Sequence, residues 1–316
     1  MNNIALFLTS AFIWGSTWLM ITFQLGVVAP LVSVVYRFFL ASLILFAYCL
    51  WRRRPFRFSR SDHFWILVQG LMLFGFNYWL TYLGITKITS ALAAILSTSI
   101  VYFNVVFARI FLGDKIKPEV VVGASIGVIG IVLIFLPEVQ LGEAGTQAGE
   151  SIDWTVFFKS DAWAGIVMVL TGSVFASLGN IASAKTQRRK IPVLQANALG
   201  MGYASVLLAL VAAVSGLNFE FDWSFSYVGS LIYLALFGSV IAFGAFLTLL
   251  GKIGPDKAGY ISLVYPVIAM VFSTFFEDYQ WTTAGIFGLF IILIGNYIAM
   301  GKYKQLPFFN KTPTTT

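Results

Sequence analysis

The sequence predicts an all-α membrane protein of ten transmembrane helices, built as two inverted five-helix repeats. Composition, the spacing of apolar runs and internal self-similarity carry that prediction. Of 316 residues, 59% are hydrophobic and only 10% charged, whereas a soluble domain carries roughly 25% charge. The charges gather between apolar runs of about 20 residues, the length that crosses a hydrocarbon core of roughly 30 Å. Such a run has no water to bond its backbone and must close its own hydrogen bonds as a helix. The mean hydropathy of +0.87 excludes an ordinary soluble domain.

The ten runs fall at 4–24, 30–51, 64–83, 88–110, 119–136, 162–184, 193–214, 226–250, 257–276 and 282–300. The first follows Met1-Asn2-Asn3 with no basic stretch and no evident small-residue cleavage site, so it reads as a retained helix rather than a signal peptide. Placing the N-terminus in the cytoplasm puts Arg52, Arg53, Arg54, Arg57, Arg60, Arg109, Lys115, Lys117, Lys185, Arg188, Arg189, Lys190, Lys252, Lys257 and the tail lysines 302, 304 and 311 inside. Only Lys87 and Lys159 fall outside, and Arg37 lies within a span. This bias predicts both termini to be cytoplasmic, in a multi-pass protein of the cell (inner) membrane. The net charge of +7 is therefore topological, and no nucleic-acid partner is expected. A single cysteine, Cys49, excludes a disulfide within the chain and any cysteine-based zinc cluster.

Two consecutive five-helix units must sit in opposite orientations, and the sequence repeats itself at an offset of 162–165 residues. Leu8-Thr9 matches Leu170-Thr171, and Pro30 matches Pro192. Leu73-Phe74-Gly75 matches Leu236-Phe237-Gly238, and Lys87-Ile88 matches Lys252-Ile253. Ser97 then falls on Ser262, and Gly123 and Gly130 on Gly288 and Gly295. An inverted repeat of this kind is characteristic of transporters. The organisation expected is a first repeat at 1–136, an extracytoplasmic linker at 137–161, a second repeat at 162–302 and a cytoplasmic tail at 303–316. The linker is rich in glycine and acid, with a short interfacial helix expected around Trp154–Phe158.

Several motifs resemble the EamA branch of the drug/metabolite transporter superfamily. Phe12-Ile13-Trp14-Gly15-Ser16-Thr17-Trp18 is similar to its opening Trp-Gly-Ser-x-Trp/Tyr pattern, and Arg37-Phe38-Phe39-Leu40-Ala41 to its Arg-Phe-x-x-Ala signature. Lys87-Ile88-Thr89-Ser90-Ala91 and Ile253-Gly254-Pro255-Asp256-Lys257-Ala258 resemble the small-residue entry of its fourth helices. Val264-Tyr265-Pro266-Val267 resembles its mid-helix proline motif, with Phe276-Glu277 where Gly-Glu is frequent. Two departures stand out: Val101 occupies the position of Pro266 in the first repeat, and Gly113-Asp114 replaces Gly-Glu. The resemblance spans residues 4–300. It implies ten helices around a central cavity, and export of amino acids or similar metabolites.

Small polar stripes mark the faces expected to line a cavity. They are Gly70, Asn77, Thr81 and Gly84 on the third span, and Ser90, Ala94, Ser97, Asn104 and Ala108 on the fourth. The sixth carries Ser173, Ser177, Asn180 and Ala184, and the ninth Ala258, Ser262, Tyr265 and Ala269. Small residues also serve close helix packing. An amide in hydrocarbon costs several kcal/mol unless partnered, so Asn77, Asn104 and Asn180 are the stronger candidates. Trp14, Trp18, Tyr78, Tyr82, Tyr102, Tyr260 and Tyr265 add aromatic surface at or near these stripes, Tyr82 alternatively as an interfacial anchor. The expected substrate-binding set is Trp14, Trp18, Arg37, Asn77, Tyr78, Ser97, Tyr102, Asn104, Asn180, Ser262 and Tyr265.

Arg37 lies about seven residues inside its helix, roughly 10 Å at 1.5 Å per residue. It either snorkels outward, binds a solute carboxylate or braces neighbouring helices, with Glu277 and Asp278 as potential partners. No Asp or Glu occupies the middle of a span, which favours facilitated diffusion or exchange over proton antiport. His63 beside Asp62 reads as an interfacial anchor. No catalytic residue, metal or cofactor is expected. A multidrug or cationic-compound exporter is the alternative, and an intramembrane enzyme or a receptor the remoter ones. The expected partners are a small-molecule substrate and the lipid bilayer, with the chain acting as a monomer or homodimer.

Overall fold

In the computed structural model, residues 2–113, 118–141, 158–253, 261–277 and 282–299 are described, and every regular element among them is helical. Ten spans follow in chain order: α1 (Asn3–Thr22), α2 (Pro30–Trp51), α3 (Arg60–Ile85), α4 (Ser90–Leu112), α5 (Pro118–Leu141), α6 (Asp161–Arg188), α7 (Val193–Val214), α8 (Phe225–Ile253), α9 (Ile261–Phe276) and α10 (Thr283–Ala299). Over the described residues, seven are long and apolar enough to cross a membrane. The other three, α5, α9 and α10, carry shorter apolar stretches at Val121–Gly130, Val264–Phe276 and Gly285–Ile298. The helix expected near Trp154–Phe158 lies outside the described residues except for Phe158. Asp114, Ala258, Tyr260, Asp278 and the 303–316 tail also lie outside them.

Local chemistry sets the helix ends. The side chains of Asn2, Ser160 and Ser224 accept from the Ile4, Trp163 and Tyr227 N–H groups, satisfying first-turn donors of α1, α6 and α8. Ser59 and Asp62 form a reciprocal capping box on α3. α4 stops at Gly113, whose φ of +78° is the left-handed conformation that glycine takes without penalty.

Exchanging the two halves maps the packing onto itself. α2 packs on α7 and α5 on α10, each against its own repeat counterpart. α1 packs on α9 as α6 packs on α4, and α8 on α1 as α3 on α6. Both α3 and α8 widen into a π-helical segment at equivalent places, Gly70–Phe76 and Leu234–Ile241. There the Asn77 and Ala242 N–H groups reach back five residues to Met72 and Phe237 rather than four. Glycines show the same symmetry between α5 and α10. A Cβ on Gly130 would lie 2.7 Å from the Gly288 carbonyl oxygen, and one on Gly295 would lie 2.6 Å from that of Gly123. These two contacts are repeat images of one another.

Buried polar groups pin the helices together. Gln24 donates to the Tyr227 carbonyl (2.9 Å) and the Ser230 hydroxyl (2.7 Å), tying the end of α1 to α8. Gln69 likewise donates to Asn197 Oδ1 (3.1 Å) and accepts from Thr186 (3.0 Å), tying α3, α7 and α6. Without such partners these amides would cost several kcal/mol in hydrocarbon. The irregularity of the fourth helices arises differently in each half. Pro266 lies inside α9. α4, with Val101 in that position, loosens at Thr98–Ser99, where Val101 and Tyr102 bond only three residues back.

The tightest approach of α3 to α7 gives a stability test. A Cβ on Gly70 would lie 2.8 Å from Gly200 Cα, whereas one on Gly75 would meet Ala204 Cβ at an ordinary 3.7 Å. Gly70→Ala is expected to destabilise by about 1–3 kcal/mol and Gly75→Ala by less than about 0.5 kcal/mol. Thermal unfolding of the detergent-purified variants measures the difference, and equal midpoints would refute the close backbone packing.

Candidate functional site

A cavity of about 130 Å³ lies between α1, α3, α4, α6, α8 and α9. These are three repeat-related pairs, and none of its lining residues comes from α2, α5, α7 or α10. A cavity of roughly 150 Å³ admits benzene, so the space suits a solute on the scale of one ring or a small amino acid. None of the lining residues is charged.

One wall is aromatic. Trp14 of α1 meets Phe243 and Phe246 of α8 at centroid distances of 5.0 and 4.9 Å. Its indole Nε1–H donates to the Gly238 carbonyl at 3.3 Å, which fixes the ring. Trp18 stacks on Tyr265 of α9 at 6.3 Å. The facing wall is built from amides and hydroxyls on α3, α4 and α6. Asn180 Nδ2 donates to Asn104 Oδ1 at 3.4 Å, and Asn77 Nδ2 to the Leu73 carbonyl at 3.2 Å. Thr81 and Ser173 complete it. Asn180 Oδ1 is buried with no hydrogen-bond partner.

Repeat symmetry relates these unlike walls. Helices α1, α8 and α9 exchange with α6, α3 and α4, and the offset of 162 residues between the first and sixth helices sets Trp14 on Ala176 and Trp18 on Asn180. Both Ala176 and Asn180 line the cavity. Ser97 and Ser262, themselves counterparts, both line it as well. The Ser97 hydroxyl bonds the Tyr265 hydroxyl at 2.8 Å, joining α4 to α9 across the divide.

Nine of the eleven expected site residues line this one cavity: Trp14, Trp18, Asn77, Tyr78, Ser97, Asn104, Asn180, Ser262 and Tyr265. The other two are placed elsewhere. Tyr102 turns to α5, where a Cβ on Gly127 would lie 2.8 Å from its ring Cζ. Arg37 lies behind the cavity wall. Thr81 and Ser173 belong to stripes read from the sequence. Phe243 and Phe246 lie three residues apart on one face of α8, and no polar contrast marks them within an apolar span.

Arg37 is fully buried and does not snorkel. Its Nε donates to Ser239 Oγ at 3.0 Å, and Nη1 to the buried Tyr82 hydroxyl at 3.4 Å. Ser239 in turn donates to the Leu234 carbonyl at 2.9 Å within the π-segment of α8. The guanidinium lies 4.4 Å from the Tyr78 ring centroid and 5.1 Å from that of Phe38. Nη2 has no hydrogen-bond partner, and no carboxylate among the described residues pairs with the group. Glu277, one of the two potential partners named from the sequence, receives the Ser90 hydroxyl, and Asp278 lies outside the described residues. His63 faces away from this region and shares a 2.7 Å hydrogen bond with Tyr203.

Comparisons with known proteins agree with this architecture. Residues 1–136 and 163–301 match the model of the EamA-like transporter family. The chain is 27% identical over 303 residues to the Escherichia coli protein described as "Uncharacterized inner membrane transporter YedA", covering 93% of this chain and 92% of that one. It is 24% identical over 288 residues to "Uncharacterized transporter YoaV" of Bacillus subtilis, covering 90% and 92%. It is 21% identical over 299 residues to "Protein PagO" of Salmonella typhimurium, covering 93% and 91%. A solved crystal structure superposes with a TM-score of 0.66 at 17% identity, covering 96% of this chain and 98% of the other, and so shares its fold.

The surroundings of Arg37 predict stability effects of opposite sign. Apolar replacement of a buried ion pair often leaves stability unchanged or raises it, by up to about 4 kcal/mol, and Arg37 has no carboxylate partner among the described residues to be left behind unpaired. Arg37→Met is therefore expected to melt at or above the wild-type temperature. Ser239→Ala, which keeps the guanidinium and removes its best acceptor, is expected to cost about 1–3 kcal/mol. Melting curves in detergent decide, and a lower midpoint for Arg37→Met than for Ser239→Ala would make Arg37 a structural brace.

Proposed function

The chain belongs to the EamA-like transporter family, and from that membership we propose that it exports small amphipathic metabolites, amino acids foremost, by alternating access. The observation that carries this reading is the pairing of an aromatic wall with an amide and hydroxyl wall around one uncharged cavity. Trp14, Trp18 and Tyr265 offer flat apolar surface to a side chain. Asn77, Asn104 and Asn180 offer donors and acceptors to an amino-acid backbone, and Asn180 Oδ1 holds an open acceptor for one of its N–H groups. Pockets of this composition orient a ligand with few polar groups while burying the rest of it.

The two walls also supply the moving parts. α1, α8 and α9 would rock against α3, α4 and α6 about the midplane, with α4 and α9 sliding on their small-residue faces. The Ser97–Tyr265 bond would break or reform in each cycle. Loop charge supports an orientation with both termini in the cytoplasm of the inner membrane. The uncharged lining supports exchange or facilitated diffusion over proton antiport. A second reading, export of organic cations, draws on the aromatic wall, because a cation within about 6 Å of an indole face is attracted by the ring quadrupole.

Counterflow of radiolabelled neutral amino acids into proteoliposomes tests the proposal. Trp18→Ala and Asn77→Leu are each expected to slow exchange at least about tenfold, equivalent to about 1.4 kcal/mol, while the variants remain monodisperse. Counterflow no faster than in empty liposomes, or wild-type rates in both variants, would refute it.

A further inference from the structure

We infer that Arg37 sets the sign of charge the cavity accepts, by placing one aromatic ring behind its wall a cation that no carboxylate among the described residues neutralises. Three observations combine. The side chain is fully buried, so water does not screen it. It meets hydroxyls and rings, and no carboxylate pairs with it among the described residues. Its guanidinium lies 4.4 Å from the centroid of Tyr78, a ring that lines the cavity, while Arg37 itself does not. Nη2 also lies near Gly238, where a Cβ would approach it to 3.1 Å. The carbonyl of that glycine anchors Trp14. The cation is thus coupled to two cavity residues without being open to direct ion pairing by a solute.

This arrangement works against the cage that the aromatic residues would otherwise form. Attraction of a cation to a ring depends on negative potential at the ring face. A guanidinium already over Tyr78 opposes that potential and repels a second cation in the cavity. A solute carboxylate is drawn by the same field. At an effective dielectric of about 20, a unit charge about 10 Å away changes occupancy by a factor on the order of ten. Arg37 is therefore a specificity residue, and it deepens the reading proposed above: zwitterions and carboxylates are accepted and organic amines rejected.

A charge-paired thiol assay reads this field without knowledge of the substrate. In full-length protein with Cys49→Ser, a reporter Ser97→Cys is reacted with the anionic sulfonatoethyl and the cationic trimethylammonioethyl methanethiosulfonates. The anion-to-cation rate ratio, normalised to a free thiol, is expected to exceed one. It should fall at least about tenfold in Arg37→Gln and stay within about threefold in Arg37→Lys. Flux of phenylalanine against phenethylamine, which lacks only the carboxylate, should shift toward the amine in Arg37→Gln. A ratio unmoved by Arg37→Gln, or no labelling by either reagent, overturns the inference. If neutral variants do not purify folded, a wild-type ratio at or below the free-thiol value overturns it. Absent phenylalanine flux with the labelling ratio still shifted would refute the amino-acid reading alone.

Discussion

Within hydrocarbon no water can accept or donate a hydrogen bond, and every other feature of this protein depends on that constraint. Each span must close its own backbone, which makes all regular elements among the described residues helices. Polar side chains must then find protein partners or line a cavity. Gln24, Gln69 and Asn197 take the first course and pin the helices through buried amides. Asn77, Asn104 and Asn180 take the second. The same constraint brings glycines to the helix contacts. Lipid tails leave little hydrophobic gain from helix association, so close backbone packing has to supply it. The Gly70–Gly200 and Gly130–Gly288 contacts show that packing.

Inversion of one five-helix unit onto another explains why the cavity lies where it does. Six helices form it, in three repeat-related pairs, while α2 with α7 and α5 with α10 pack as self-paired scaffolding. Duplication alone would have produced two identical walls. Divergence at matched positions, Trp14 against Ala176 and Trp18 against Asn180, has left one wall aromatic and the other amide. The backbone remains pseudo-symmetric, with matching π-segments in α3 and α8. A pseudo-symmetric fold therefore holds a cavity with a defined apolar and a defined polar side.

The fold was legible in the sequence because a membrane span is a composition signal and a repeat is an offset, and neither needs tertiary contacts. The polar part of the site was legible for a related reason. Asn77, Asn104, Asn180, Ser97 and Ser262 stand out against apolar neighbours, and such groups in hydrocarbon must face inward. The aromatic part was only half legible. Trp14 and Trp18 lie in a recognisable motif, whereas Phe243 and Phe246 look the same whether they face lipid or solute. Tyr102 lies off the cavity for a geometric reason. It lies five residues after Ser97 and two before Asn104, so helical spacing turns it away from the face of Ser97, Ile100, Val101 and Asn104 that lines the cavity and toward α5.

Arg37 shows where sequence reasoning stops and packing decides. A lone cation in a span permits snorkelling, ion pairing or bracing, and only three-dimensional surroundings choose among them. Here the side chain is sealed between α2, α3 and α8, so snorkelling is excluded. No ion pair joins it to Glu277, whose carboxylate accepts from Ser90. Burying an ion costs several kcal/mol even after relaxation, and two hydroxyls and two rings do not replace a counter-charge. Its repeat counterpart region, where α3 meets α7 at Gly70 and Gly200, is packed glycine on glycine. The fold can therefore close that kind of interface without any charge. A costly cation at one of two equivalent interfaces, beside the ring that lines the cavity, is explained by what it does to the solute rather than by what it does for the fold.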